Sequence, residues 1–165
     1  MLWAEQINRY TIEARHLFRN RNGTNHYRRY SNKKRDLFMF SHIMLGANDV
    51  AASKKFYDAI MDVLGHKPGV MDEKGRCFYF EKTGVFSLSK PIDGQPATGA
   101  NGSTIGFAAD NPETIDAWHA AGLAHGGTTI EDPPGLRGTA PNQMYLAYLR
   151  DPSGNKICAL HRIPA

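Results

Sequence analysis

The chain predicts an α+β fold: two βαβββ modules forming a curved mixed sheet around one concave cleft. Three observations carry the prediction. Ser41-His42-Ile43-Met44-Leu45 recurs as Ser103-Thr104-Ile105-Gly106-Phe107, an offset of 62 (104 minus 42). The same offset lays Asn48-Asp49 on Asp110-Asn111 and Phe56 on Trp118. Each copy then reads as a strand, a polar helix start, an amphipathic helix and further short strands. An internal repeat constrains architecture more firmly than local propensity does. A module of this kind covers one apolar sheet face with its helix and leaves the other face to line a pocket.

Residues 40–45 alternate, with Ile43 and Leu45 to one side and His42 and Met44 to the other, as in a half-buried strand. Asn48 or Asp49 can cap the helix that follows, because a short side-chain oxygen satisfies free amides in its first turn. Val50, Ser53, Phe56, Tyr57, Ile60 and Leu64 then fall near helical spacing, and Gly65 closes the helix. Strands are expected at 66–71, 76–81 and 85–90. They are separated by Asp72-Glu73-Lys74-Gly75 and Lys82-Thr83-Gly84, which carry the charged and glycine residues of hairpin turns. Residues 91–102, rich in Gly and Pro, join the two halves.

The second half opens with a strand at 103–109. Asn111-Pro112 starts its helix, with Asn as cap and Pro in the first turn, and Ile115, Trp118, His119 and Gly122 continue it to Gly126-Gly127. A short strand at 128–131 leads into an expected irregular loop, 133–142, of a length that often forms a lid. Strands at 145–150 and 156–161 complete the module, joined by the turn Asp151-Pro152-Ser153-Gly154-Asn155.

A chain of 165 residues, 41% hydrophobic and 22% charged, is most simply one domain with a real core. Its formal charge of +4 is unevenly spread. Residues 1–38 hold nine Lys and Arg against Glu5, Glu13 and Asp36, a net of +6 (9 minus 3); the remainder holds 11 against 13, a net of −2. The domain therefore has no basic face of the kind a nucleic acid requires. Residues 1–38 are expected to be a basic, disordered extension. Trp3, Ile7, Tyr10, Ile12 and Leu17 would make one short amphipathic helix, after which the apolar period stops. Tyrosines interleaved with Arg and Lys are the one feature that suggests RNA or anionic lipid. The alternatives are a tail without a partner or a segment upstream of the true start, since Met39 directly precedes the first strand.

No apolar run approaches the roughly 20 residues that cross a bilayer, and the N-terminus lacks a secretory signal. Cys77 and Cys158, without CxxC spacing, make no disulfide framework. The expected location is cytoplasmic, away from membranes.

Over residues 39–162 the chain resembles the vicinal oxygen chelate superfamily, which includes glyoxalase I, bleomycin resistance proteins and extradiol dioxygenases. The pieces that carry the resemblance are Phe40-Ser41-His42-Ile43-Met44-Leu45-Gly46, Ala52-Ser53-Lys54-Lys55-Phe56-Tyr57 and Tyr148-Leu149-Arg150-Asp151-Pro152-Ser153-Gly154-Asn155-Lys156-Ile157. The two repeats span 40–90 and 103–161. Metal-dependent members place one His or Glu ligand on each of four strands, and the metal acts as a Lewis acid on vicinal oxygens. The resemblance puts those corners on His42, Ser87, Thr104 and Cys158. The repeat pairs them too: His42 with Thr104, and Ser87 with Cys158 at an offset of 71 (158 minus 87).

Of the four, His42 is the ligand type the family uses. Ser87 and Thr104 are neutral hydroxyls, and Cys158 stands where the family pattern continues with Glu. A thiolate beside His42 suits zinc, but two ligands of four make a poor site and leave no carboxylate as base. Moving a proton between neighbouring carbons, as glyoxalase I does, needs such a base. The expected function is therefore small-molecule binding in the cleft, metal-poor or metal-free and not true glyoxalase I. The alternative is a divalent-metal-dependent lyase, isomerase or dioxygenase using His42 and Cys158. The resemblance also implies a homodimer. Tyr148, on the same side as Cys158, is expected as a pocket wall, and Arg137 as a loop residue that either holds an anionic group or is solvated. Arg76 is expected at the surface, and His119 packing against the sheet's back face.

Overall fold

The computed structural model describes residues 17–19, 25–27 and 39–164. Before residue 39 it shows β1 (Leu17–Arg19) paired antiparallel with β2 (Asn25–Tyr27). The expected helix and disorder in this segment otherwise lie outside the described residues.

The first module follows as β3 (His42–Gly46), α1 (Val50–Val63), β4 (Val70–Met71), β5 (Cys77–Glu81) and β6 (Gly84–Ser89). The second is β7 (Ile105–Ala108), α2 (Pro112–Ala124), β8 (Thr128–Thr129), β9 (Gly135–Arg137), β10 (Met144–Arg150) and β11 (Lys156–Arg162). The fold class is the α+β double module that the repeat predicts. The strands hydrogen-bond as two sheets, one per module, ordered β3-β6-β5-β4 and β7-β11-β10-β8, with β9 also on β10. In each sheet the first strand runs parallel to the last: Ile43 lies opposite Phe86, and Ile105 opposite Ile157. These are the repeat's offsets of 62 and 71 (105 minus 43; 157 minus 86) realised as strand register.

Both helices start where the capping residues predict. The Asp49 carboxylate accepts from the Ala52 amide at 3.0 Å, and the Asn111 side chain accepts from the Thr114 amide at 2.8 Å. Three expectations are corrected. The strand expected at 66–71 shrinks to Val70–Met71, because Pro68 has no N–H to donate and the Gly69 amide instead donates to the Asp58 carboxylate. The strand expected at 128–131 shortens to Thr128–Thr129. The loop expected to be irregular over 133–142 contains β9, whose Leu136 lies opposite Tyr145.

One core serves both modules. Phe56, Tyr57 and Ile60 from α1 and Ile115 and Trp118 from α2 meet Leu45, Cys77, Tyr79 and Leu88 of the first sheet and Ala147, Leu149, Ile157 and Ala159 of the second. The helices meet at Gly122, where a Cβ would lie 2.3 Å from Leu149 Cδ1 and 3.3 Å from Phe56. The polar seam between modules is the Asp151–Asn155 turn. Tyr57 Oη donates to the Asp151 carboxylate at 2.9 Å, Asn155 Nδ2 donates to the Gly46 carbonyl at 2.8 Å, and the Asn48 amide donates to Ser153 Oγ at 2.9 Å.

This core sets the alkaline limit of stability. Burial, then the Asp151 charge and hydrogen bond, hold the Tyr57 phenol well above its ordinary range. Burial, then Cys77 and Asp58, raise Tyr79, and burial raises the Cys77 and Cys158 thiols. The unfolded chain gives up these protons first, so their stabilisation is full below about pH 9 and is lost as pH rises through the folded-state values. Each group in that window removes about 1.4 kcal/mol per pH unit. Melting temperature is expected to fall steadily from about pH 9 to 11, and less steeply in Tyr57→Phe. A flat profile over that range would contradict this account.

Candidate functional site

The first sheet has two apolar faces. On β5, Cys77 and Tyr79 enter the core, while Phe78 and Phe80 alternate onto the opposite face. On β3, Leu45 enters the core, and His42 and Met44 share the open face. The central strand β6 puts the core-packed Phe86 and Leu88 inward and Val85 and Ser87 outward. Register completes two rows across the open face: His42, Val85 and Phe80, then Met44, Ser87 and Phe78.

This face holds a cavity of about 530 Å³ lined by residues between Ser41 and Ser87, including His42, Met44, Met71, Arg76, Phe78 and Phe80. Its polar atoms are largely engaged. His42 Nδ1 and Ser41 Oγ are 3.0 Å apart and hydrogen-bonded. Ser87 Oγ donates to the Ile43 carbonyl at 3.0 Å. Arg76 holds Asp72 through Nε at 2.7 Å and Nη2 at 2.6 Å. Hydrogen bonds from the Arg76 backbone and side chain keep the Asp72 carboxyl below its usual range.

Of the four corners, His42 and Ser87 come together on this face. Thr104 and Cys158 belong to the second module and line none of this cavity. Thr104 is exposed just before β7, and Cys158 is buried on β11 opposite Tyr148, with Gly106 on its other side. Burial raises the Cys158 thiol, with Lys156 opposing and Glu131 adding. The Tyr148 ring carries Lys156 Nζ at 4.5 Å from its centroid. Arg137 is spent on its own loop, donating to the Pro133 carbonyl at 2.8 Å and the Leu136 carbonyl at 3.0 Å. His119 Nε2 is hydrogen-bonded to Thr129 Oγ1 at 3.1 Å, at the edge of the second sheet.

The donor set does not fit a divalent ion within one chain. Among the described residues, no three His, Cys, Asp or Glu side chains converge. The Ser87 hydroxyl is turned to a backbone carbonyl, and Cys158, buried on the second sheet, does not line the cavity that holds His42.

Sequence reasoning missed Phe78, Phe80, Met71 and Arg76 as lining residues. Arg76 is at the surface as expected, its side chain 40% exposed, and also packs its guanidinium over the Phe78 ring at 5.2 Å. A signal was present: Cys77-Phe78-Tyr79-Phe80 is apolar on both faces, whereas a sheet with a solvated face alternates apolar with polar.

The profile of the Glyoxalase/Bleomycin resistance protein/Dioxygenase superfamily matches residues 39–159. Among solved structures, the chain is similar to a glyoxalase/bleomycin resistance protein from Albidiferax ferrireducens T118. Identity is 61% over 75% of this chain and 99% of that one, with a TM-score of 0.72. It is also similar to lactoylglutathione lyase from Agrobacterium tumefaciens, at 25% identity over 73% of this chain and 91% of that one, with a TM-score of 0.51. A glyoxalase-related enzyme from Fulvimarina pelagi, 18% identical over 75% of this chain and 88% of that one, shares the fold with a TM-score of 0.58. No curated protein matches the sequence.

Proposed function

Because the chain belongs to the glyoxalase/bleomycin resistance protein/dioxygenase superfamily, we propose that it binds a small organic molecule on the open face of its first module, without a resident metal. The cavity of about 530 Å³ carries this reading. Its lining is mostly apolar, with a few polar groups, Ser41–His42, Asp72–Arg76 and Ser87, as small-molecule sites usually have. The chemistry is not that of glyoxalase I. Asp72 is the one carboxylate in the lining, and two bonds to Arg76 make it a weak base.

The protein acts as a homodimer. Met44, Val70, Met71 and Phe80 leave an exposed apolar surface on the first module, and a second copy covers its rim. Light scattering is expected to give twice the monomer mass for the native chain and the monomer mass for Val70→Asp. A native monomer at every concentration would end this part of the proposal. The unpaired thiols of Cys77 and Cys158 favour a reducing, cytoplasmic location.

A thermal-shift screen with zinc loading tests the binding reading. Ligands that stabilise the native chain are expected to lose most of their shift in His42→Ala. Zinc-loaded, dialysed protein is expected to retain less than about a tenth of an equivalent. Shifts that survive in His42→Ala would move the site off this face. Stoichiometric metal would favour the alternative, a metal-dependent lyase, isomerase or dioxygenase.

A further inference from the structure

Resting on that binding reading, we infer that the ligand is an uncharged, flat aromatic molecule with one hydrogen-bonding substituent, held between the Phe78–Phe80 pair and His42. The open face is a trough. Its walls are His42 and Met44 on β3 and Phe80 and Phe78 on β5, with Val85 and Ser87 of the intervening β6 as its floor. Neighbouring strands lie about 4.8 Å apart, so the walls stand roughly 10 Å from each other over small side chains. A flat ring system fits that space.

The floor is apolar in effect, because Ser87 Oγ is committed to the Ile43 carbonyl. One wall is aromatic: the Phe78 and Phe80 rings stack at 5.8 Å between centroids and 18° between planes. The Arg76 guanidinium covers Phe78, whereas Phe80 is 63% exposed, so Phe80 is the ring left for a further partner. Met44 and Met71 add thioethers that favour contact with aromatic ring edges.

Charge decides the rest. Arg76 and Asp72 neutralise each other, so a charged ligand meets no free counter-charge in the lining and gives up hydration without return. His42, paired with Ser41, offers a donor or an acceptor according to its tautomer, which suits a single hydroxyl or carbonyl.

The test uses the full chain and three probes: 2-naphthol, its saturated counterpart decahydro-2-naphthol, and the anion 2-naphthoate. Binding is followed by NMR on the methyl groups of Met44 and Met71, where an aromatic ring induces ring-current shifts, and by calorimetry. 2-Naphthol is expected to bind about tenfold more tightly than either other probe. Phe80→Leu, at an exposed position that leaves the core intact, is expected to weaken 2-naphthol about tenfold and decahydro-2-naphthol by clearly less, since only the aromatic probe loses a ring–ring contact. Equal affinity for the aromatic and saturated probes, or tighter binding of 2-naphthoate, would overturn this inference while leaving a binding site on this face. Failure of all three probes to perturb Met44 or Met71 at millimolar concentration would overturn both the inference and the binding reading beneath it.

Discussion

Asp151→Ala is expected to lower the stability of the domain by about 3–5 kcal/mol, the cost of breaking a buried charge network. Asp151 is 4% exposed and accepts four hydrogen bonds. They come from Tyr57 Oη at 2.9 Å, the Ser153 amide at 2.9 Å, the Asn155 amide at 2.8 Å and Asn155 Nδ2 at 2.8 Å. Alanine removes the acceptor of the Tyr57 hydroxyl and the Ser153 and Asn155 amides, and one of the two acceptors of Asn155 Nδ2. The damage also spreads between modules, because Asn155 Nδ2 is aimed at the Gly46 carbonyl while it serves Asp151. At roughly 2–4 °C per kcal/mol, the melting temperature is expected to drop by about 10 °C. Tyr57→Phe, which removes one donor and leaves the other three in place, is expected to cost only about 1.5–3 kcal/mol. Thermal and urea melts of both variants check this. A loss under about 1 kcal/mol for Asp151→Ala would mean that the turn is held by its backbone alone.

Trp118 tests the hydrophobic half of the same junction. It is fully buried and is the largest side chain in the core, on the helix that meets α1 at Gly122. Trp118→Ala is expected to cost about 3–5 kcal/mol through lost burial and the cavity left behind. Trp118→Phe is expected to cost under about 2 kcal/mol. The reason for the difference is specific. Trp118 Nε1 is buried and finds no hydrogen-bond partner among the described residues, so phenylalanine removes an unsatisfied donor along with part of the ring. Equal damage from the two substitutions, measured by urea denaturation, would show that the indole N–H is satisfied and contributes to stability.

Much of the fold was legible because the signals were local. Capping at Asp49 and Asn111 and the glycine after α1 depend on a few adjacent residues. The strand shortened at Pro68 was also locally predictable, from the missing N–H. The candidate site was legible only in part. His42 was singled out by its place in the repeat, and it does lie on the cavity. Phe78 and Phe80 read as strand residues and nothing more, since alternation places a side chain on a face without saying what that face meets.

Sequence alone determined the module and its duplication, and the structure adds that the two copies pair their strands in equivalent register. The first two follow from periodicity and from the offsets between copies, 62 for β3 to β7 and 71 for β6 to β11. Tertiary structure alone decided which residues share a surface. It put His42 and Ser87 on one cavity, left Thr104 and Cys158 with the other sheet, and laid the surface residue Arg76 over the Phe78 ring. The physical reason is one of range. Strand and helix patterns are set by neighbours a few residues apart, whereas this cavity is set by the pairing of strands distant in sequence, which lays His42 beside Val85 and Val85 beside Phe80.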